Sequence, residues 1–230
     1  MAIEIFPVVG LPEVEPGDDL TALLVSALSP LGPRDGDILV VTHKVVSKAE
    51  GAMAAAATDE DYRNTVASEA AVVIRRRGDL VITVTHHGFV CANAGVDRSN
   101  VTGDRVVLLP RNPDRSAHRI RTRLMRELGV ELAVVISDTF GRAWRRGVVD
   151  VAIGLAGMGP ILDLKGTTDM HGRTLEVTEV AIADEVAAAA ELAMGKSTGV
   201  AAALVRGVGY ESGPGRASDL IRPPTEDLFR

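Results

Sequence analysis

Two short apolar segments, Ile38–Thr42 and Leu132–Ile136, constrain the fold of this chain more than any other feature. Each is rich in Val, Ile and Leu and lacks the polar alternation of a strand with one solvated face. Such segments are typical of strands covered on both faces, so each predicts a central strand of a sheet. Other strands and helices follow without a regular strand–helix–strand rhythm. We therefore predict an α+β fold with mixed sheets rather than a doubly wound parallel sheet.

The composition excludes several classes of protein. The 230 residues suit a single domain over 1–230, or two small parts that share a core. Aromatic residues make up only 3% of the chain and the net charge is -6, which argues against a nucleic-acid partner. The lone Cys91 fits a reducing compartment, and neither a signal peptide nor a membrane-spanning stretch is visible. We expect a cytoplasmic protein without a membrane partner.

The periodicity places the remaining elements. Helix N-caps are predicted within Pro16–Asp19 and at Ser116 and Asp184. Arg75–Arg77 are interpreted as cations at the end of a helix closed by Gly78, with phosphate binding as the alternative. Helices are predicted at Leu20–Leu28, Asp59–Arg77, Ser116–Leu128 and Asp184–Met194. Strands are predicted at Ile3–Val9, Leu80–Thr85, Phe89–Ala92, Val106–Leu109, Leu175–Ile182 and Val200–Val205, and a loop at Ser137–Arg146.

The segment that follows Leu132–Ile136 carries the clearest chemistry. Asp138 beside Thr139 offers two hard oxygen ligands for Mg²⁺ or Mn²⁺. Arg142 and Arg145 come next and are suited to neutralising a phosphoryl group. From these residues alone, a metal site and a turn with solvated arginines are equally compatible with the pattern.

A second acidic loop, Asn93–Asn100, strengthens the case for a metal. Asp97 lies in it beside Gly95, which permits close backbone approach, and two acidic loops can share one cation. Asn100 could bind a base or ribose, and Lys48 could reach a phosphate. An Asx-turn at Asp97 and an exposed surface lysine at Lys48 are the alternatives.

The tripeptide Gly195-Lys196-Ser197 imitates the end of a P-loop, but the position that requires glycine is Ala190. It is better interpreted as a helix C-cap and polar turn, although a glycine turn near a nucleotide stays open. The glycine-rich run that begins at Gly154 also lacks dinucleotide-binding spacing.

Taken together, the motifs resemble the coenzyme F420-0:L-glutamate ligase family, the γ-glutamyl ligases of the deazaflavin cofactor. The resemblance runs from the first strand to the tail and is strongest at Ile136–Arg142. The other matching stretches are Ile5–Glu13, Pro16–Leu20, Asp35–Thr42, Val45–Gly51, Asn93–Asp97, Ser99–Val101, Arg145–Gly147, Ala183–Glu185, Met194–Lys196 and Val205–Gly207.

This resemblance implies an activity, ligands and an assembly. GTP would phosphorylate the carboxylate of the deazaflavin precursor F420-0, and the amine of L-glutamate would displace phosphate from the acyl phosphate. Mg²⁺ or Mn²⁺ would be required, K⁺ would assist, and the two-part chain would form an intertwined homodimer. The implied metal ligands are Asp97, Asp138 and Thr139. The implied GTP-binding residues are Leu11, Pro12, Glu13, Val14, His43, Lys48, Asn100, Met194, Gly195 and Lys196.

The chain also departs from the family pattern. Ser is frequent at the position of His43, and an acidic residue occurs in some members at the position of Lys196, which puts a second metal site in doubt. We expect no C-terminal flavin-binding domain of the kind that some relatives carry. Arg142 and Arg145 as catalytic charge stabilisers are a hypothesis from the residues alone. A nucleotide-dependent ligase for another carboxylate and a nucleotide-binding regulatory module without turnover are the competing functions.

Overall fold

The structure, a computed structural model, describes residues 2–101 and 103–228. Its strands are β1 (Glu4–Pro7), β2 (Ile38–Thr42), β3 (Met53–Ala55), β4 (Ala70–Arg77), β5 (Leu80–Thr85), β6 (Val90–Ala92), β7 (Arg105–Val107), β8 (Ala133–Arg142), β9 (Arg145–Ala156), β10 (Leu162–Asp163), β11 (Glu179–Val180) and β12 (Ala202–Arg206). Its α-helices are α1 (Leu20–Leu28), α2 (His43–Ala49), α3 (Asp59–Glu69), α4 (Pro113–Leu128) and α5 (Ile182–Met194). Short 3₁₀ turns lie at Ser29–Leu31, Asn93–Gly95, Ala217–Leu220 and Pro224–Glu226.

A five-stranded sheet in the order β1-β12-β2-β8-β9 forms the centre of the molecule. Only β2 and β8 run parallel, and the other neighbours in this sheet are antiparallel. Smaller sheets pair β3 with β7, β10 with β11, and β4, β5 and β6 in sequence. This mixture of strand directions and segregated helices confirms the predicted α+β class with mixed sheets.

The two apolar segments that predict central strands do occupy the centre. All of Ile38–Val41 and all of Leu132–Ile136 are buried, because α4 and α5 cover the sheet. Asp19 caps α1 by accepting a hydrogen bond from the Ala22 N–H, and the buried Leu20, Leu24 and Leu28 form its apolar stripe. A second, smaller cluster lies beside α3 and contains Ala56, Val66, Ala94, Val96 and Val106.

The helix predicted at Asp59–Arg77 is wrong beyond Glu69. Residues Ala70–Arg77 form β4, which pairs with β5 through a short turn at Gly78. The β-branched run at Val72–Ile74 prefers the extended backbone, and pairing across the hairpin outweighs the helical pattern that precedes it. The three arginines therefore lie on a strand, and their interpretation as charges at a helix end is also wrong.

The N-cap predicted within Pro16–Asp19 is confirmed at Asp19, whereas those predicted at Ser116 and Asp184 are wrong. Helix α4 begins at Pro113 and is capped by Asn112, because proline fits the first helical position and the asparagine oxygen accepts from the Arg115 N–H. Helix α5 begins at Ile182, and the carboxylate of Asp184 instead accepts a hydrogen bond from the Ala152 N–H of β9. Burial raises the pKa of Asp184, so this carboxyl group joins α5 to the sheet at an electrostatic cost.

Two further sequence interpretations change. Ser137–Arg146 is not a loop, because β8 continues to Arg142 and turns into β9. Within the predicted strand Leu175–Ile182, only Glu179–Val180 forms a strand. Gly154 has a packing role, since a Cβ there would lie 2.5 Å from the carbonyl carbon of Pro113 at the start of α4. Among the described residues, no helix is long and apolar enough to span a bilayer.

Candidate functional site

The candidate site lies at the edge of the sheet where the parallel pairing of β2 and β8 ends. The last paired residues are Thr42 and Ser137. The chain then turns from β2 directly into α2 at His43, while β8 continues beyond its partner. Asp138 and Thr139 are therefore the first residues of β8 that β2 no longer flanks, and the first turn of α2 lies beside them.

Consecutive residues of α2 contact the two carboxylates that are predicted to bind metal. Nε2 of His43 lies 3.1 Å from Oδ1 of Asp138. Nζ of Lys44 lies 2.7 Å from Oδ2 of Asp97 and also donates to Oγ of Ser99 at 2.6 Å. Asp97 and Asp138, which lie 41 positions apart in the sequence, are thus linked through one turn of α2.

One turn later, Lys48 joins two more of the predicted segments. Its ammonium group forms an ion pair with Glu13 and donates to the backbone oxygen of Asn100 at 2.8 Å. Lys48 is only 6% exposed, so its charge is held inside the site rather than on a solvated face. This position contradicts the alternative of a surface lysine. The short helix α2 therefore gathers the Leu11–Val14 segment, the acidic loop and β8 around one edge.

A buried carboxylate that sequence reasoning missed organises the β8–β9 side of the site. Asp150 is 3% exposed and lies opposite Thr139 in the sheet. It accepts hydrogen bonds from Oγ1 of Thr139 at 2.7 Å, from Oγ of Ser137 at 3.0 Å and from Nζ of Lys196 at 2.7 Å. The signal was visible, because Asp150 is the one carboxylate inside the apolar run Val148–Ile153. Lys44 was also missed, and only the fold identifies its partner.

The charges at this edge are paired. Burial opposes the charge on Asp97, but hydrogen bonds from Lys44 and Ser99 outweigh it and lower the pKa of this carboxyl. Burial likewise opposes the charge on Lys196, but Asp150 and Glu191 outweigh it and raise the pKa of the amine. The ionised Asp97 carboxylate stabilises the fold at pH values above the ordinary pKa of an aspartate. That contribution is lost as the pH falls through the lowered pKa of the folded protein.

The oxygen ligands at this edge fit a hard divalent cation that takes its remaining ligands from a bound substrate. Carboxylate and hydroxyl oxygens of Asp97, Asp138 and Thr139 are the ligands that Mg²⁺ and Mn²⁺ prefer. Over residues 2–101 and 103–228, no three His, Cys, Asp or Glu side chains converge into a complete metal cage. A cation here would therefore need oxygens from outside the protein, and Mg²⁺ commonly takes such ligands from substrate phosphates.

The remaining predicted nucleotide-binding residues differ in what they offer. Val14 and Met194 are 1% exposed, so only their backbone groups could contact a ligand. Leu11 is half-buried and Pro12 is exposed. Gly195 ends α5 with a φ of 64°, a conformation that favours glycine, and this confirms its interpretation as a helix C-cap.

The arginines lie farther from the carboxylates. Arg142 and Arg145 face each other at the tip of the β8–β9 hairpin and are exposed. The side chain of Arg142 donates to the backbone oxygen of Arg146 at 2.8 Å. Three residues of extended strand place Arg142 roughly 10 Å beyond Thr139. Their catalytic role stays a prediction that requires the hairpin or a substrate to bridge this distance.

A large cleft lies at the opposite edge of the sheet. It has a volume of about 1180 Å³ and is lined by residues that precede β2 and β8 and by the tail that follows β12, including Gly36, Leu132, Tyr210 and Gly215. None of the residues predicted to bind metal or nucleotide lines it. Cavity size and chemistry thus point to different edges, and we assign the functional site by its convergent charges.

Cys91 is close enough to the site to test for covalent chemistry. Burial and the nearby Asp138 charge raise the pKa of this thiol to about 12, so the nucleophilic thiolate is scarce at neutral pH. We predict that Cys91→Ser changes turnover by less than about 2-fold and that iodoacetamide leaves the native protein unlabelled near pH 8. Rapid labelling, or loss of turnover in the serine variant, would reveal a covalent step that this account lacks.

Comparison with known proteins identifies the family. The profile of the F420-0:Gamma-glutamyl ligase family matches residues 9–207. A protein of Methanothermobacter thermautotrophicus named coenzyme F420:L-glutamate ligase is 43% identical over all of both chains. Proteins of the same name from Methanopyrus kandleri and Methanocaldococcus jannaschii are 41% and 38% identical, covering 95% and 96% of this chain and 94% of their own lengths. The chain whose segments meet around α2 therefore belongs to the F420-0:Gamma-glutamyl ligase family.

Proposed function

We propose that this protein joins L-glutamate to the deazaflavin precursor F420-0 through an amide bond, using GTP to activate the carboxylate. The observation that carries the proposal is the convergence of Lys48, Asp97 and Asp138 around α2, in a chain whose relatives are named for this ligation. Lys48 supplies charge for a phosphate, and the carboxylates supply oxygen ligands for Mg²⁺ or Mn²⁺. A role for K⁺ and the addition of further γ-linked glutamates stay predictions.

The proposed reaction has two steps. A carboxylate oxygen of F420-0 attacks the γ-phosphorus of GTP, the bond to the β–γ bridging oxygen breaks, and GDP leaves. The glutamate amine then attacks the acyl carbon, the amide bond forms, and inorganic phosphate leaves while the amine loses its protons to solvent or a base. A bound divalent cation would neutralise charge on the nucleotide phosphates. Neither step requires a protein nucleophile, consistent with the raised pKa of Cys91.

The chain's own residues bind and orient the substrates. Lys48 is fixed by Glu13 and the backbone of Asn100, so its ammonium group needs little reorganisation to bind a phosphate. Asp150 fixes the hydroxyl of Thr139 on the neighbouring strand and the ammonium group of Lys196, which follows α5. Arg142 and Arg145 would stabilise phosphoryl charge if the hairpin tip closes over the substrate.

An omission series tests the proposed function. Phosphate release is measured with protein, GTP, Mn²⁺, F420-0 and L-glutamate, and each component is then left out in turn. We expect release that requires every component and a product whose mass includes the added glutamate. Release that does not depend on F420-0 would favour a ligase for another carboxylate. Tight GTP binding without release would favour a regulatory module, and replacing GTP by ATP tests the nucleotide preference.

The role of Lys48 can be tested by Lys48→Met, which keeps the length of the side chain and removes the charge. We expect GTP affinity to fall about 10- to 100-fold, the equivalent of one hydrogen bond to a charged group. Lys165→Met is the matched control, because Lys165 forms an exposed ion pair with Glu179. Isothermal titration calorimetry in the presence of Mn²⁺ measures the GTP affinity of both variants. Equal affinities in the two would remove Lys48 from the nucleotide site.

We also propose that the protein is a homodimer, as the family resemblance implies. The exposed tip of the β8–β9 hairpin carries Trp144 and Val148, which are 78% and 61% exposed. Large apolar side chains at a protruding tip are typical of surfaces that bind another chain. Light scattering after size-exclusion chromatography tests this directly, and a monomer mass at micromolar concentration would contradict it.

A further inference from the structure

His43 is buried in a way that its neighbours do not explain. Its side chain is 2% exposed at the start of α2. Buried ring nitrogens of histidine normally have a hydrogen-bond partner. Within the described part of the chain, neither Nδ1 nor Nε2 of His43 makes a hydrogen bond. The Nε2 atom is 3.1 Å from Oδ1 of Asp138, but the ring N–H does not point at that oxygen.

The separation of these two atoms fits two ligands of one ion. In an octahedral site with bonds of about 2.1–2.2 Å, adjacent ligand atoms lie roughly 3.0–3.1 Å apart without bonding each other. The measured separation of 3.1 Å between Nε2 of His43 and Oδ1 of Asp138 matches such an edge. Oδ1 of Asp138 accepts one hydrogen bond from the Thr139 N–H at 2.7 Å, which leaves its second lone pair for a cation.

The backbone fixes both groups in this arrangement. Thr42 and Ser137 are the last residue pair of the parallel β2–β8 ladder. His43 directly follows Thr42, and Asp138 directly follows Ser137. The register of the buried β2–β8 pair therefore sets the separation of His43 and Asp138. A pair held by the sheet core is pre-organised for a metal, because neither ligand has to be recruited from a loop.

We propose that Nε2 of His43 is a ligand of the divalent cation held by Asp138, which makes this a mixed nitrogen–oxygen centre. The inference rests on the proposed function only in taking Asp138 as a cation ligand. An imidazole ligand favours Mn²⁺, Co²⁺ and Zn²⁺ over Mg²⁺ more strongly than oxygen ligands do. The competing interpretation is a core histidine that packs beside Asp138 and leaves the cation to oxygen ligands.

Pulsed electron paramagnetic resonance of bound Mn²⁺ tests the assignment without turnover. Protein with ¹⁴N-histidine or ¹⁵N-histidine is loaded with Mn²⁺, alone and with GTP. We expect imidazole nitrogen modulations that change with the isotope and vanish in His43→Ser, which still binds Mn²⁺ about 10- to 100-fold more weakly. His86→Ser, at an exposed position, should retain them. We also expect the preference for Mn²⁺ over Mg²⁺ to fall about 10-fold in His43→Ser.

Three outcomes would overturn the inference. One is stoichiometric Mn²⁺ binding by the unaltered protein without isotope-sensitive nitrogen modulations. A second is failure to bind Mn²⁺ even with GTP. His43→Gln separates folding from ligation, because an amide of similar reach fills the buried space; a folded glutamine variant that retains the wild-type nitrogen signal would also reject His43. The resonance spectra and the Mn²⁺ titrations need neither F420-0 nor glutamate. The proposed ligation can therefore fail in its omission series while the nitrogen signal from His43 remains.

Discussion

Replacing Asp138 by asparagine should lower kcat for phosphate release by about 100- to 1000-fold while the fold stays intact. Asparagine has nearly the same shape, so the packing of β8 is preserved, but the negative charge beside His43 is lost. A cation that depends on that charge would bind more weakly and would no longer hold the nucleotide phosphates. Phosphate release, Mn²⁺ titration and thermal unfolding should be measured on the same preparation.

Asp79→Asn is the matched control for this charge removal. Asp79 is exposed in the turn between β4 and β5 and lies outside the sequence segments that meet around α2. We expect its turnover and Mn²⁺ affinity to equal those of the unaltered protein. Near-normal turnover in Asp138→Asn would show that the metal is assigned to the wrong carboxylate. Loss of both turnover and cooperative unfolding would show a structural role instead.

The second large effect is on stability. Arg206 at the end of β12 forms a bidentate pair with Asp37, through Nε to Oδ1 at 2.9 Å and Nη2 to Oδ2 at 2.7 Å. Asp37 is 1% exposed, so Arg206→Met leaves a buried carboxylate without its counter-ion. We predict a loss of about 3–5 kcal/mol in the free energy of unfolding, measured by urea denaturation.

A double-mutant cycle makes this prediction specific. Adding Asp37→Asn to Arg206→Met removes the stranded charge, so the double variant should be more stable than the sum of the single effects predicts. Arg98→Met is a control at an exposed pair with Asp59, where we expect little change in the urea midpoint. Additive effects of the two substitutions would contradict the account of a coupled buried pair.

The sequence was most informative where burial leaves one choice of structure. The apolar runs Ile38–Thr42 and Leu132–Ile136 could be placed because strands with two covered faces are apolar throughout. It failed where pairing with a distant segment decides. Ala70–Arg77 continues a helical pattern, yet it becomes β4 because β5 supplies hydrogen-bond partners. The sequence of those eight residues alone does not identify β5 as their pairing partner.

The candidate site was predictable as residue types but not as contacts. Asp138 was expected at the end of a strand, whereas it lies inside a longer strand at the point where the neighbouring strand ends. Lys44 was missed because its importance depends on the carboxylate that the fold brings to it, whereas Asp150 could have been found as the one carboxylate inside the apolar run Val148–Ile153. The predicted metal ligands and nucleotide contacts themselves stay predictions until a ligand is bound.

The nucleotide has to be located by experiment, since a cleft of about 1180 Å³ lies at the opposite edge of the sheet from Lys48 and Asp138. A crystal structure with Mn²⁺ and a non-hydrolysable GTP analogue tests its location most directly. We expect the phosphates to lie beside Lys48, with Mn²⁺ bound to Asp138. A nucleotide bound instead in the cleft near Tyr210, with no contact between Asp138 and Mn²⁺, would contradict this placement.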